Sequence, residues 1–192
     1  MYSKVTSGGV LGVEGLLIQV ETDINDGLPM FHMVGFLSAC VKEAGERVRT
    51  ALKNSGFQIP PKKITINLSP ADIRKDGTGY DLAIAVAVLS AYGYISKLIF
   101  NDILFIGELS LEGEVRPVNG VLPMVYAALA QGVKYCILSR DNQEEASVGT
   151  GDEGYRCHKS QAGCGSVRGR FRQSGVPAIR RSLPGQSKRI QQ

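Results

Sequence analysis

Two polar segments carry the residue types that could do chemistry in this sequence. The first reads Arg74-Lys75-Asp76-Gly77-Thr78-Gly79-Tyr80-Asp81 and leads into an apolar stretch, and the second covers residues 107–120. A glycine-rich turn before a helix can bind an anion through free backbone amides, with Arg74 and Lys75 assisting. The alternative is a capping turn, which Asp81 favours because a carboxylate in the first helical turn disfavours a phosphate there.

Other catalytic signatures are missing from the sequence. It contains no G-x-x-x-x-G-K-[ST] loop and no G-x-S-x-G elbow, so we expect neither ATP hydrolysis nor serine-hydrolase chemistry from this chain. His32 and His158 lack ligand spacing and are interpreted as a strand histidine and a tail histidine. The cysteines also lack metal-like pairing, and the first two are expected to be reduced core thiols: Cys40, Cys136, Cys157 and Cys164. The sequence therefore predicts no metal and no cofactor.

Hydrophobic periodicity predicts the elements that position these segments. Residues 10–24 and 30–36 are expected to be a hairpin or adjacent strands, separated by a turn at 25–27. Ser38 is expected to cap a helix that ends at Asn54-Ser55-Gly56, where Gly45 implies a close packing contact. The remaining predicted elements are a strand over 62–68, a buried helix over 80–92, a strand over 104–111, a helix from 121 to about 132 and a short strand over 135–138. This order indicates an α+β or α/β domain of about 145 residues.

Composition fits one domain followed by a basic tail. The chain has 192 residues, of which 43% are apolar and 21% are charged. Up to Val148 there are 13 basic and 16 acidic residues, net −3, and after it 9 against 2, net +7. Residues 149–192 are expected to be disordered because they are glycine-rich and carry few large apolar residues. The longest apolar stretch, Leu82–Tyr92, is about half of a membrane span, so we expect a soluble, cytoplasmic protein.

Four long motifs resemble a known family. They read GLPMFHMVGF, VKEAGERVRTALKNSGF, PPKKITINLSPADIRKDGTGYDLAIA and FIGELSLEGEVRPVNGVLP. In this order they are similar to the N-terminal domain of the magnesium-chelatase-like AAA+ ATPases, a group that includes the competence-associated helicase. The resemblance covers about residues 2–146. It implies a two-layer α+β fold like the proteolytic domain of Lon protease, with a left-handed βαβ crossover. It also implies an AAA+ motor, absent from this chain, and a homo-oligomeric ring in the longer protein, so the chain is expected to be a fragment or a truncated product.

The likeness to Lon protease makes a serine–lysine dyad testable by residue type. Such a dyad needs a hydroxyl nucleophile and an amine base with a depressed pKa. The resemblance places the Lon serine on Gly79 and the Lon lysine on Leu122, and neither residue can do that chemistry. Thr78 offers a hydroxyl one position away but has no matching base. The resemblance therefore implies a retained scaffold without catalytic residues.

The tail departs from the family after Val148. Codons for residues 149–165 can be chosen so that reading them one base out of frame encodes a different peptide. That peptide has the strand-then-helix pattern that the resemblance leads one to expect. We therefore hypothesise that residues 149–192 are a frameshift product, which the gene sequence would decide. On that hypothesis the net charge of +7 in the tail is accidental and is not a nucleic-acid-binding arm.

The predicted function is a non-catalytic accessory or assembly domain of a magnesium-chelatase-like AAA+ ATPase. One alternative is binding of nucleic acid such as DNA, through the tail or through a local patch of Lys62, Lys63, Arg74 and Lys75. The net charge of −3 on the domain disfavours strong binding to phosphates. The other alternative is a residual Ser/Thr peptidase, which casein turnover abolished by Thr78→Ala would support. No membrane partner is predicted.

Overall fold

A mixed seven-stranded sheet organises the chain. The computed structural model describes residues 1–96, 100, 102–148 and the backbone of 156–160. The strand order is β3-β4-β2-β1-β5-β8-β9, and a two-stranded ribbon, β6-β7, lies outside the sheet. The strands are β1 Tyr2–Leu11, β2 Glu14–Asn25, β3 Met30–Val34, β4 Lys63–Ser69, β5 Ile103–Phe105, β6 Glu108–Leu109, β7 Val115–Arg116, β8 Tyr135–Ser139 and β9 Arg156–Ser160. The helices are α1 Ala39–Asn54, α2 Asp81–Ala91, α3 Val121–Ala130 and α4 Gln143–Val148.

The first half of the sheet differs from the predicted pairing. One apolar run was expected over 10–24, whereas β1 and β2 form a long antiparallel hairpin that turns at Gly12, where φ is +64°. β3 does not pair with β2, because β4 lies between them and pairs with both. Likewise, the predicted strand over 104–111 is broken at residues 106–107 into β5 and β6. Periodicity within a segment carries no information on which segment lies beside it.

Helix α1 confirms the capping and packing predictions. The Ser38 Oγ accepts a hydrogen bond from the Val41 amide at 3.4 Å. The helix ends at Asn54, followed by the C-cap residue Ser55 and by Gly56, where φ is +80°. The predicted apolar stripe is buried. Gly45 faces Phe31 so closely that a Cβ would lie 3.0 Å from the ring, which is the close contact that a glycine inside this helix implied.

Helices pack on both faces of the sheet, which corrects the expected two-layer arrangement. Successive residues of a strand point to opposite faces. In β1, a Cβ on Gly8 would touch Met124 of α3, and one on Gly9 would touch Tyr80 at the start of α2. Helix α2 is buried at every position, as predicted. Two apolar clusters result, one built largely around α2 and one around α3.

The last described strand, β9, contradicts the prediction that the whole tail is disordered. It accounts for five residues of that tail. Arg156–Ser160 extends the sheet by pairing in parallel with β8 over the whole of that strand. An open strand edge presents unpaired amides and carbonyls that an extended segment can satisfy whatever its side chains are. The rest of the predicted disordered tail, 149–155 and 161–192, lies outside the described residues.

Candidate functional site

The two polar segments singled out in the sequence meet in the structure. The Gly107 amide donates to the Gly79 carbonyl at 3.0 Å, and the Leu82 amide donates to the Gly107 carbonyl at 3.0 Å. These bonds join the turn before α2 to the strand connection after β5. The site therefore lies where the amino-terminal end of α2 contacts the second segment.

Two of the amides at the amino-terminal end of α2 already donate to carbonyls of the protein. The Asp81 amide donates to the Thr78 carbonyl at 3.3 Å, and the Leu82 amide is used by Gly107. Asp81 also places a buried carboxylate in the first turn. Arg74 is exposed and pairs loosely with Asp76 at 3.9 Å. The geometry therefore favours an internally bonded turn over an anion site, but the predicted capping is not found, because the N-cap residue Tyr80 makes no side-chain cap bond and Asp81 bonds Arg47 and Leu109.

A buried ion pair between α1 and α2 is the central electrostatic feature of this region. Arg47 donates from Nε to Asp81 Oδ2 at 2.8 Å and from one terminal nitrogen to Oδ1 at 3.1 Å. The Leu109 amide also donates to Asp81 Oδ2, at 3.2 Å, and links β6 to the pair. Burial raises the pKa of Asp81, while the adjacent Arg47 guanidinium acts in the opposite direction. The carboxylate thereby joins three segments that are distant in sequence.

Sequence reasoning missed this pair, although a signal was present. Asp81 begins a helix whose other positions are almost all apolar. A charge in such a helix is buried and needs a partner. What the sequence could not supply was the identity of that partner, since Arg47 is 34 residues away.

The position of Lys75 contradicts the prediction that this residue belongs to a basic surface patch. Lys75 is fully buried. Its Nζ donates to the Ile73 carbonyl at 2.7 Å and to the Pro70 carbonyl. Burial lowers the pKa of this amine. Lys75 therefore holds the loop between β4 and α2 together and does not present its charge on the surface.

The other three residues of that patch are not close together. Lys63 is the first residue of β4 and Lys62 precedes it, whereas Arg74 follows the last residue, Ser69. A strand of seven residues is about 20 Å long, so the lysines and Arg74 lie at opposite ends of it. Lys62 is also paired with Asp26 at 2.9 Å. These residues do not form one nucleic-acid surface.

The two positions matched to the Lon dyad hold a glycine and a leucine, and both residues are partly buried. A Cβ on Gly79 would lie 3.8 Å from both Ile106 and Val118, which is ordinary contact. The Leu122 amide donates to Glu145 Oε1 at 3.1 Å. Among the described residues, no lysine amine is hydrogen-bonded to a hydroxyl, and the buried amine of Lys75 is engaged by carbonyls.

Asn142 and Glu145 are contributors to this region that sequence reasoning missed. The Asn142 side chain accepts from the Val118 amide at 2.9 Å and donates to the Val118 carbonyl at 2.7 Å. With the bond from the Leu122 amide to Glu145, these contacts fix the entry to α3 from the chain that follows β8. The residues are polar and close to the carboxyl end of a short strand, but nothing in their spacing identified Val118 and Leu122 as their partners.

Tyr80 gives the region a measurable pH dependence. Its side chain is 3% exposed, and burial raises the pKa of its phenol to about 12, with a smaller contribution from Asp76. The folded state keeps this proton between about pH 10 and pH 12 while the unfolded state releases it, so stability falls as the pH rises through that range. The loss is the difference between the free energies of unfolding at pH 8 and at pH 11.5, measured by denaturant unfolding. We expect this difference to be about 2 kcal/mol smaller in Tyr80→Phe than in the unsubstituted protein. Equal losses in both proteins would contradict the assignment.

Comparisons with known proteins agree with the family resemblance. Residues 20–142 match the family described as subunit ChlI of Mg-chelatase. The chain is 38% identical over 148 residues to the competence protein ComM of Haemophilus influenzae, covering 77% of this chain and 28% of ComM. It is 39% identical over 184 residues to YifB of Escherichia coli, covering 94% of this chain and 36% of YifB. It is also 36% identical over 103 residues to Lon protease 2 of Bacillus subtilis, covering 54% of this chain and 18% of that protease. The chain thus spans about a third of the length of the ComM and YifB relatives.

Metal coordination and membrane crossing are two further properties on which the described residues bear. Within them, no group of three or more His, Cys, Asp or Glu side chains is arranged to hold a metal ion. None of the helices among the same residues combines the length and the apolar character needed to cross a bilayer.

Proposed function

We propose that this chain, which belongs to the family of subunit ChlI of Mg-chelatase, acts as a non-catalytic accessory or assembly module of a larger AAA+ ATPase of the magnesium-chelatase type. In this proposal the fold is Lon-like, including the left-handed βαβ crossover, and the likeness to Lon protease 2 over 54% of the chain supports it. The motor that hydrolyses ATP belongs to the longer protein.

One observation carries the non-catalytic part of the proposal. Gly79 and Leu122 stand where the resemblance places the Lon nucleophile and base, and the buried Lys75 amine donates to two backbone carbonyls. An amine that serves as a general base needs a lone pair directed at the nucleophile's proton, whereas Lys75 acts here as a donor to oxygens. Among the described residues, this arrangement supports the proposal of a structural, non-catalytic role for the site.

An exposed apolar surface supports the assembly part of the proposal. At the tip of the β1–β2 hairpin, Leu11 is 56% exposed and Val13 is 89% exposed. Beside the tip, α3 contains no charged residue, and its Tyr126 is 54% exposed. Val13, Leu122 and Tyr126 line one shallow depression of about 560 Å³. Exposed apolar residues that line one depression in this way are typical of a protein–protein contact.

The proposal is tested by adding this chain to E. coli YifB from which the matching region has been removed. We expect the two polypeptides to associate, and we expect Val13→Asp combined with Tyr126→Asp to weaken the association tenfold or more, because both substitutions bury a charge in the contact. Binding is measured by sedimentation velocity or by titration calorimetry.

Leu28→Asp is the matched control. Leu28 is an equally apolar residue, 85% exposed, in the turn between β2 and β3 at the opposite end of β2 from the hairpin tip. It is expected to leave the affinity unchanged. The assembly role is contradicted if the two polypeptides do not associate, or if their association survives the Val13 and Tyr126 substitutions. The non-catalytic role is contradicted if the chain turns over casein and Thr78→Ala abolishes that turnover.

A further inference from the structure

A groove between α1 and the 58–62 segment has no role in the function proposed above. Its cavity is about 300 Å³, at the lower end of the range for ligand sites. Its floor is the apolar core itself, formed by Leu52, Phe57, Ile64 and Val88. Met30 and Ile59 belong to its walls. A cavity of this size and character accommodates one or two large apolar side chains.

The wall of the groove is held in place before any ligand arrives. The Tyr92 hydroxyl donates to the Pro60 carbonyl at 2.8 Å, and the Tyr94 hydroxyl donates to the Gln58 carbonyl at 2.7 Å. The Tyr94 ring also packs edge-on against Phe57, with ring centroids 5.4 Å apart. A wall fixed in this way loses little conformational entropy on binding.

The rim of the groove is basic. Arg49 and Lys53 lie one turn apart on the exposed face of α1, and Lys62 faces them across the groove. Like charges at this spacing on a helix repel each other. Lys62 is paired with Asp26, whereas neither Arg49 nor Lys53 forms an ion pair within the part of the chain that the structure describes. The two α1 cations are therefore available to a ligand carrying negative charge.

We infer that this groove binds a partner polypeptide through an acidic segment that carries a large apolar anchor residue. The anchor enters the apolar cavity, and carboxylates beside it pair with Arg49 and Lys53. Single-stranded nucleic acid fits less well, because the walls are mainly aliphatic and proline residues. Of the two rings that line the groove, Phe57 is only 8% exposed and Phe31 is partly buried against Gly45 of α1, so neither is a free platform for base stacking. This inference does not depend on the accessory role, since it concerns a different surface.

The test measures binding of a fluorescent peptide, acetyl-Asp-Glu-Leu-Phe-Glu-Asp-amide, to the full 192-residue chain by polarisation. We expect Arg49→Glu combined with Lys53→Glu to weaken binding at least tenfold, and Met30→Asp to weaken it through the wall of the cavity. Lys42→Glu is the matched control because Lys42 is an exposed cation on the same helix and does not line the groove. The basic tail is present in every variant, so attraction to it cancels in the comparison.

Three results would overturn the inference. One is no binding of the peptide at millimolar concentration, and another is equal weakening by Lys42→Glu and by the double substitution. In the third result, a single-stranded thymidine 20-mer binds the chain and the peptide does not. The binding of the 20-mer would then be lost when Arg49→Glu and Lys53→Glu are combined. Because the test does not involve the motor or the hairpin tip, its failure leaves the assembly proposal unaffected.

Discussion

Replacing Arg47 by alanine is expected to lower the free energy of unfolding by about 3–5 kcal/mol, the range seen when one partner of a buried ion pair is removed. The reason is the charge that remains. The Asp81 side chain is 0% exposed, and the truncation leaves it with only the Leu109 amide as a hydrogen-bond donor among the described residues. Urea unfolding monitored by circular dichroism measures the change.

Two further variants separate the ion pair from general damage to α1. Glu43 approaches Arg47 only at 3.9 Å and is 73% exposed, so Glu43→Ala is expected to change stability by less than about 0.5 kcal/mol. Arg47→Met combined with Asp81→Leu removes both charges and is expected to recover most of the loss, because a well-packed apolar pair can replace a buried ion pair. A loss below about 1 kcal/mol in Arg47→Ala would show that Asp81 finds another partner.

The substitution Gly15→Ala is expected to cost about 3 kcal/mol or more, since its added methyl group collides with backbone that cannot rotate away. A Cβ at this position would lie 1.9 Å from the Pro123 carbonyl oxygen and 2.8 Å from the Met124 amide nitrogen. Helix α3 would have to move off the β1–β2 hairpin. Thermal or denaturant unfolding measures the loss of stability.

Gly79→Ala is the matched control for this prediction. The same methyl group at Gly79 meets its nearest neighbours, Ile106 and Val118, at 3.8 Å, and the residue does not have a positive φ. We expect a change within about 1 kcal/mol, with a small gain possible from the less flexible unfolded chain. If the two substitutions had equal effects, the close approach of α3 to the hairpin would be wrong.

Local chemistry in the sequence was sufficient to predict α1, α2 and α3, whereas α4 was not predicted. Ser38 and Gly56 predicted both ends of α1, and an unbroken apolar run predicted a helix buried on every side. These features depend on neighbouring residues alone. The resemblance to Lon protease also matched Gly79 and Leu122 to the positions of the Lon dyad. A match of this kind needs the identity and the order of residues and does not need coordinates.

Tertiary structure alone decided which distant segments meet. The alternation in β1 did not reveal that α2 and α3 would cover opposite faces, and the pattern of β3 did not reveal that β4 would separate it from β2. The charge of Lys75 likewise predicted exposure, whereas the loop carbonyls of Pro70 and Ile73 make burial possible. Burying a charge is favourable only when partners surround it, and those partners are assembled by folding. The sequence by itself thus determined the residue types and most of the elements, and the fold determined which of them pair.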